Sequence, residues 1–384
     1  MRIIQLSTGH LGGAGLAARR LNHQLNLHGV NSTFIALAQK TFVPGGNEVQ
    51  VDRDFFVKTI GASLAAMQRS FSEETLMSSI SMSSNVVSRI LQLSKPQETI
   101  IQIHNWQNII NFKTIDELQK LGFKIVLTLH DQRFFTGGCH YSYSCMRFQG
   151  NCSGCPQTPR GLKLIPKLSL QHSMKVSFNQ DSIVVVGPSK WIVDLAQKSS
   201  VLKNVESQVV PNVLGGSWLN IVRGISFRKN LKFTVGVASL DPFSFIKGGD
   251  IIQRLQSYLP SAEFSIIYLS EFPNTRQVHF WEQIDCLFVP SREDNSPNVI
   301  LEAKSLGIPV VASNAGGIPE ILDRVDFCLD MPDVMDINFL ISIFERLRIS
   351  NRVHDSIENL AERVIKRDSA IIGTYKTIYS KLLS

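Results

Sequence analysis

Residues 291–322 read Ser-Arg-Glu-Asp-Asn-Ser-Pro-Asn-Val-Ile-Leu-Glu-Ala-Lys-Ser-Leu-Gly-Ile-Pro-Val-Val-Ala-Ser-Asn-Ala-Gly-Gly-Ile-Pro-Glu-Ile-Leu. An apolar strand, Leu287–Pro290, runs into a polar loop. A helix is predicted to start at Ser296-Pro297. Serine caps well, and proline suits the first helical position because it has no N–H to leave unpaired. Asp294 stands just before the helix mouth, and Glu302 lies eight residues on, inside the helix. The N–H groups of a helix N-terminus attract an anion such as a diphosphate. A carboxylate one or two turns further in can accept hydrogen bonds from sugar hydroxyls. The spacing suits a nucleotide sugar, with phosphate at the helix mouth, ribose on one carboxylate and the second sugar near the other.

The segment resembles the retaining glycosyltransferases of family 4, whose signature is E-x7-E followed by G-x-P-V-V-x-S-x-x-G-G-x-P-E. Asp294 takes the first acidic place, Glu302 the second, and Gly307 to Glu320 follow the rest. Aspartate at the first place is one methylene shorter than glutamate, and Glu293 is the substitute if the loop shifts by one. The resemblance is strong over 287–322 and 130–157 and loose over 40–95. It implies two doubly wound Rossmann-like domains facing across a cleft, the GT-B architecture. On that reading 1–212 form an acceptor-side domain and 213–366 a nucleotide-sugar-binding domain. Residues 367–384 then form a helix that returns to the first domain.

The alternation of apolar strands and helices agrees with an α/β fold of parallel sheets. Expected strands are Ile3–Leu6, Thr33–Leu37, Thr99–Ile103, Lys124–Leu129, Ser182–Val186 and Gln208–Val210 in the first half. In the second half they are Lys232–Val237, Glu263–Leu269, Ile284–Val289, Pro309–Ala312 and Asp326–Leu329. Two separate helical stretches, 353–365 and 370–383, are expected at the end. The chain has 384 residues, 43% hydrophobic and 18% charged, which is a globular composition. No apolar run reaches the length of a membrane span, and the first residues read as a buried strand, so a cytoplasmic place is expected. Residues 1–212 carry a net charge of +9 and the rest −2. Between Gln132 and Gln180 stand six basic residues and no acidic one. Such asymmetry suggests an anionic partner, a membrane face included, with Phe55-Phe56 and Leu64–Met67 as interfacial contacts.

Thr8-Gly-His-Leu-Gly-Gly-Ala-Gly15 follows the first strand and can present N–H groups to a phosphate. The resemblance points to Gly13 for that contact. His104 and His130 each follow a parallel strand, where residues line a ligand crevice. Lys247, before Gly248-Gly249, matches the lysine that neutralises the leaving diphosphate in the family. The arginine that accompanies it there is missing; Ala238 or Ser239 holds its place, and Arg292 is a candidate replacement. The expected catalytic residues are Asp294, Lys247 and His130. The expected donor contacts are Gly13, Asn295, Ser296, Asn298, Val299 and Glu302.

Cys139, Cys145, Cys152 and Cys155 fall within seventeen residues, while Cys286 and Cys328 lie in expected core strands. Four clustered cysteines in a reducing compartment suit a closed structural zinc site; free or disulfide-forming thiols are the alternative. A similar cysteine-bearing insert occurs in a subset of the family, and 136–157 resemble it. No cofactor is expected for catalysis, which is taken to need no divalent metal. The reading is thus a retaining glycosyltransferase. It would move a sugar from a nucleotide diphosphate sugar to a lipid-linked or glycan acceptor, in bacterial surface polysaccharide biosynthesis. The alternative is a catalytically silent sugar- or nucleic-acid-binding protein. No nucleic-acid partner is expected, because aromatics interleaved with arginine are not evident.

Overall fold

Runs of Ile and Val build two parallel sheets. The computed structural model describes residues 1–39, 44–52, 85–175, 181–227, 230–239, 241–272, 276–350 and 355–384. Met1–Val213 with Ala370–Ser384 form one unit, and Leu214–Ser369 form the other. The first unit contains β1 (Arg2–Ser7), α1 (Gly12–Leu27), β2 (Asn31–Leu37), β3 (Glu48–Val51), α2 (Val86–Leu93), β4 (Thr99–Asn105), α3 (Phe112–Lys120), β5 (Lys124–Thr128), α4 (Leu164–Met174), β6 (Ile183–Gly187), α5 (Lys190–Lys198) and β7 (Ser207–Val209). The second contains α6 (Gly215–Gly224), β8 (Phe233–Val237), α7 (Gly249–Tyr258), β9 (Phe264–Tyr268), α8 (Gln277–Gln283), β10 (Cys286–Val289), α9 (Asn298–Ser305), β11 (Val310–Ser313), β12 (Phe327–Leu329), α10 (Met331–Met335) and α11 (Ile337–Ile349). The last helix, α12 (Ile357–Leu383), carries residues of both.

In the first unit the strand order is β3-β2-β1-β4-β5-β6-β7, and each described pairing is parallel. Side chains alternate between the two faces. Ile4, Leu6, Ile101, Ile103, Ile125, Leu127, Ile183 and Val185 join one core cluster. Ile3, Ile100, Val126, Val184 and Val186 join another, closed by Ile371, Ile372, Tyr375, Ile378, Tyr379 and Leu382 of α12. Burial on both faces explains why the strands read as nearly unbroken apolar runs. The edge strand β3 was not expected from the sequence. It is four residues long and mostly half-buried, so the pattern is weak.

The second sheet has the order β12-β11-β10-β8-β9, again with parallel pairings. Cys286 is buried in β10, whereas Cys328 is exposed, because β12 lies at the edge. The two helical stretches expected after 353 form one helix, α12. Lys366-Arg-Asp368 interrupts the apolar pattern without breaking the helix. Asp368 is 2% exposed because its carboxylate accepts the amides of Leu214 (3.0 Å) and Gly215 (2.7 Å) at the start of α6. A carboxylate at a helix N-terminus answers unpaired N–H groups and the helix dipole together. Asp368→Ala should therefore cost about 2 kcal/mol, since two buried amides lose a charged acceptor. Asp368→Asn, which keeps an acceptor, should cost less. Urea unfolding of the full chain checks both, and equal midpoints for wild type and D368A would refute this account.

Candidate functional site

In the second sheet the strand order reverses between β8 and β10, the place where ligands of open α/β sheets sit, beyond the carboxyl ends of the strands. Glycines bring the two following loops together. Gly248 has φ +74°, and a Cβ there would stand 2.3 Å from the Pro290 carbonyl oxygen. A Cβ on Gly249 would stand 2.1 Å from the Phe243 carbonyl oxygen. The Arg292 amide donates to the Ile246 carbonyl at 2.8 Å. These contacts set Lys247 against Asp294, with Nζ 2.5 Å from Oδ2. Asp294 Oδ1 accepts the Asn295 amide at 2.8 Å. The second half of the motif grips the first. Gly316, at φ +65°, lies so close that a Cβ would be 1.9 Å from the Asp294 carbonyl oxygen, and the Gly317 amide donates to that oxygen at 2.9 Å. The Ser313 hydroxyl donates to the Ser291 carbonyl.

The helix does not begin where the sequence suggested. It starts at Asn298, and Pro297 holds the cap position in extended backbone (φ −64°, ψ 119°) with no side-chain cap. A proline also keeps the residue before it out of helical backbone. Ser296 is thereby released from capping. Its residue is 8% exposed, and its hydroxyl oxygen is buried with no hydrogen-bond partner among the described residues. Asn298 and Val299 occupy the first turn, half-buried, and Glu302 is buried further along. Glu293 is buried as well. Arg292, the candidate replacement cation, forms a bidentate pair with Asp250 (2.7 and 2.8 Å) and lies 3.8 Å over the Phe245 ring. It fastens the Lys247 loop to α7, and its pairing holds the Asp250 carboxyl below the usual range.

In the first sheet the order reverses between β1 and β4. In the glycine loop, Gly12 takes φ +75°, and a Cβ on Gly15 would stand 2.5 Å from the Gly9 carbonyl oxygen. A Cβ on Gly13 would meet nothing within 4 Å, so no protein contact dictates glycine at that position. Thr8 Oγ1 donates to the Gln107 carbonyl at 2.6 Å, tying the loop to the end of β4. His104, on β4, and His130, just past β5, are brought together: His104 Nδ1 lies 2.9 Å from His130 Nε2, with the rings stacked. Arg133 is buried among Asp131, Asn105 and Gln107, donating to each. Burial pushes His130 down to about 4; Asp131 opposes the shift and Arg133 adds to it. His104 is held well below its ordinary value by burial and by His130.

The four clustered cysteines line one cavity of ≈ 10 Å³, room for a single small atom, together with Thr136, Ser142, Arg147, Phe148 and Pro166. All are free thiols. A hydrogen bond from Cys139 lowers Cys155 to about 6, and amides of Gln157 and Thr158 also point at its sulfur. Burial raises Cys152 to about 11, against a backbone hydrogen bond from Gly137. As the side chains stand, no group of three or more His, Cys, Asp or Glu among the described residues is placed to hold a metal ion. The sequence contains an Asp-x-Asp pair, Asp52-Arg-Asp54, so it gives no ground for the expectation that catalysis needs no divalent metal. Residues 53 and 54 lie outside the described residues, as do Phe55-Phe56 and Leu64–Met67. Among the described residues no helix is long and apolar enough to cross a membrane.

Residues 246–337, which span the Lys247 loop, β10 and the motif after it, match the family model of glycosyl transferases group 1. No curated protein matches the chain. Among solved structures, sucrose-phosphate synthase from Thermosynechococcus elongatus aligns over 99% of this chain and 98% of its own, at TM-score 0.62 and 13% identity. The trehalose-6-phosphate structure from E. coli, bound with UDP-2-fluoro glucose, aligns over 100% and 99% at TM-score 0.59 and 11% identity. WaaG, a glycosyltransferase involved in lipopolysaccharide biosynthesis, aligns over 94% and 99% at TM-score 0.54 and 13% identity. At such identities the likeness is one of fold, and the fold is that of the GT-B glycosyltransferases. Match and fold together support a glycosyltransferase.

The low values of His104 and His130 carry a sign for stability. Both are favoured neutral in the folded chain, so the unfolded chain takes up their protons first as pH falls. Their contribution is full above the ordinary histidine value of 6.5 and is lost as pH falls toward about 4. The melting temperature should drop over that window, and the drop should be shallower in His104→Gln. Superimposable profiles for wild type and H104Q would contradict the assignment.

Proposed function

We propose that the protein is a retaining glycosyltransferase of family 4. It moves a sugar from a nucleotide diphosphate sugar to a lipid-linked or glycan hydroxyl in the making of a bacterial surface polysaccharide. The observation that carries this reading is at the head of α9. There the Ser296 hydroxyl is buried without a partner and Lys247 is held by Asp294, at the switch point of the sheet. An anion is the ligand such a place favours: a helix N-terminus, a nearby ammonium and a hydroxyl donor. Lys247 has three N–H donors, so it can keep Asp294 and still take a phosphate oxygen. Charge building on the departing diphosphate is then offset by groups already in position, the usual source of transition-state stabilisation. Asp294 positions the lysine, Glu302 takes the ribose, and Asn295, Asn298 and Val299 border the donor. Gly13 contributes a backbone amide and His130 meets the acceptor.

Thermal shift with uridine, guanosine, adenosine and thymidine diphosphates tests the donor site, since a ligand selective for the native state raises its stability. At least one should stabilise the wild type. Lys247→Ala should weaken that nucleotide by roughly tenfold, and Glu302→Ala should weaken it as well, with melting unchanged in its absence. A folded protein that answers none of the four would remove the reading.

We also propose that the cysteine loop takes a structural zinc ion. Support comes from four thiols around one small cavity and from backbone amides aimed at Cys152 and Cys155. Four thiolates would close a tetrahedral site and leave no open position, so zinc would hold the loop and take no part in transfer. The side chains would have to turn onto one point to bind it. Protein made without added zinc should contain about one zinc per chain, and Cys155→Ser should lose it. Under roughly a tenth of an equivalent in folded wild type would exclude the site.

A further inference from the structure

A surface helix of a globular chain turns its apolar side chains inward and its polar ones to solvent. Helices α3 and α5 obey: Phe112, Ile115 and Leu118 are buried in one, Ile192, Val193 and Ala196 in the other. Helix α4 obeys only on one side. Pro166, Leu170 and Ser173 are its buried residues, with Leu170 in the core cluster of the first sheet. The other side carries two more leucines in the open: Leu164 is 58% exposed and Leu168 53%. At about 100° per residue, Leu164, Leu168 and Lys175 point within roughly 40° of one another, opposite Pro166 and Leu170. His172, also exposed, continues the row. Pro166 is held against the cysteine loop, where a Cβ on Gly137 would stand 2.5 Å from its carbonyl oxygen. The core on one side and the loop at the first turn thus fix which face of the helix is open.

Lys163 and Lys175 are exposed and Lys167 is half-buried, so ammonium groups accompany the leucines along the helix. From Gln132 to Gln180 the chain has no acidic residue, so the segment brings no carboxylate to neutralise them. Single exposed leucines are ordinary. Leucines in one row, inside a run that is only basic, make two demands together: an apolar phase and negative charge. An anionic bilayer meets both. Acyl chains take up the leucines, lipid phosphates take the ammonium groups, and the lysine stems reach between the two. A protein partner fits less well. A stable protein interface covers about 800 Å² on each side around a packed apolar centre, far more than one face of an eleven-residue helix offers. A bilayer sets no such threshold, since attraction adds with each apolar and basic side chain. At about 16 Å the helix is too short to span, so it lies along the surface.

We infer that α4 docks the chain on an anionic lipid bilayer. Leu164 and Leu168 enter the boundary between headgroups and acyl chains, and Lys163, Lys167 and Lys175 meet lipid phosphates. The membrane contacts suggested by the sequence, Phe55-Phe56 and Leu64–Met67, lie outside the described residues; α4 is a separate place. Docking does not rest on the glycosyltransferase reading. Its use does: a lipid-linked acceptor shares the bilayer, so a docked enzyme meets it by diffusion in two dimensions. Each lysine contributes about fivefold to partition at low salt, and three together about a hundredfold. Salt screens that part and leaves the part due to the leucines.

Flotation of the full chain with vesicles checks this, using phosphatidylcholine alone and phosphatidylcholine mixed with phosphatidylglycerol. The wild type should float with the mixed vesicles, more weakly as salt rises, and stay behind with phosphatidylcholine alone. Leu164→Gln with Leu168→Gln should weaken binding by about tenfold or more. Lys163→Gln, Lys167→Gln and Lys175→Gln together should weaken it by about a hundredfold. Lys198→Gln with Lys203→Gln, in and just after α5, should leave it near the wild type. Leu168→Trp should be quenched by lipids brominated on the upper acyl chain, beyond any quenching of the wild type. None of these side chains is fully buried, so melting temperature and nucleoside diphosphate binding should stay unchanged, which separates a lost surface from a lost fold. A wild type that stays behind with the mixed vesicles overturns the inference. So does a folded Leu164/Leu168 variant that floats like the wild type, or an equal loss from the lysines at 198 and 203. An acidic polypeptide or RNA held through the same leucines, with vesicles left unbound, overturns it too. Vesicle binding is read without a nucleotide, so the donor-site reading and this one fail separately.

Discussion

Parallel pairing is the constraint on which the rest depends. Each described strand pair is parallel, so within each sheet the described strands are joined by crossovers and their carboxyl ends emerge along one edge of that sheet. The strands themselves are held by burial on both faces, at about 25 cal/mol per Å² of apolar surface. The loops at that edge have little such surface and must be fixed in other ways. In the second unit the means are glycine contacts and ion pairs: Gly248 on Pro290, Gly316 on Asp294, Lys247 with Asp294, Arg292 with Asp250. In the first they are the buried Arg133 cluster and the stacked histidines. Residues of a type suited to chemistry are therefore also the residues that order their own loops.

The two edges differ in electrical character, and the difference runs against the net charge of the halves. Residues 1–212 carry +9, yet the groups at their strand ends are two neutral imidazoles and an arginine closed upon an aspartate. Residues 213–384 carry −2, yet their strand ends hold an ammonium paired with Asp294 and a helix N-terminus. Charge more than about 8 Å away across solvent, the Debye length at physiological salt, is largely screened. What a ligand meets is decided by the groups within hydrogen-bond reach. Overall pI therefore does not decide what either edge binds.

Much of this was legible in the sequence, and the misses have physical causes. Unbroken Ile/Val runs marked the strands, because burial on both faces leaves no polar side to blur them. The Gly-Gly pair at 316–317 and the acidic residues at 294 and 302 were visible as a local pattern. Ser296-Pro297 was misread because the dipeptide satisfies the rules for cap and first turn equally well one residue early; the extended backbone of Pro297 decided the matter. The charged run at 366–368 read as a break, since nothing local reveals that Asp368 is matched by amides about 150 residues away. The Lys247–Asp294 and His104–His130 pairs join different strands, and only the strand order places them together. A signal for the polar network beneath α12 was nevertheless present: Gln5 and Gln102 stand among the Ile and Leu residues of β1 and β4.

Those two buried amides have an energetic meaning. Replacing both glutamines by leucine would take their partner away from the buried Tyr379 hydroxyl, the Thr128 hydroxyl and His104 Nε2, so it should destabilise the sheet. Only replacing the whole network by apolar residues of matching shape could be neutral. The parallel register is set by the apolar residues on either side, where a one-residue slip would turn every side chain to the wrong face. The amides answer their polar neighbours instead: β1, β4, β5 and α12 each supply a member of one network, which ties the last helix to the sheet it covers.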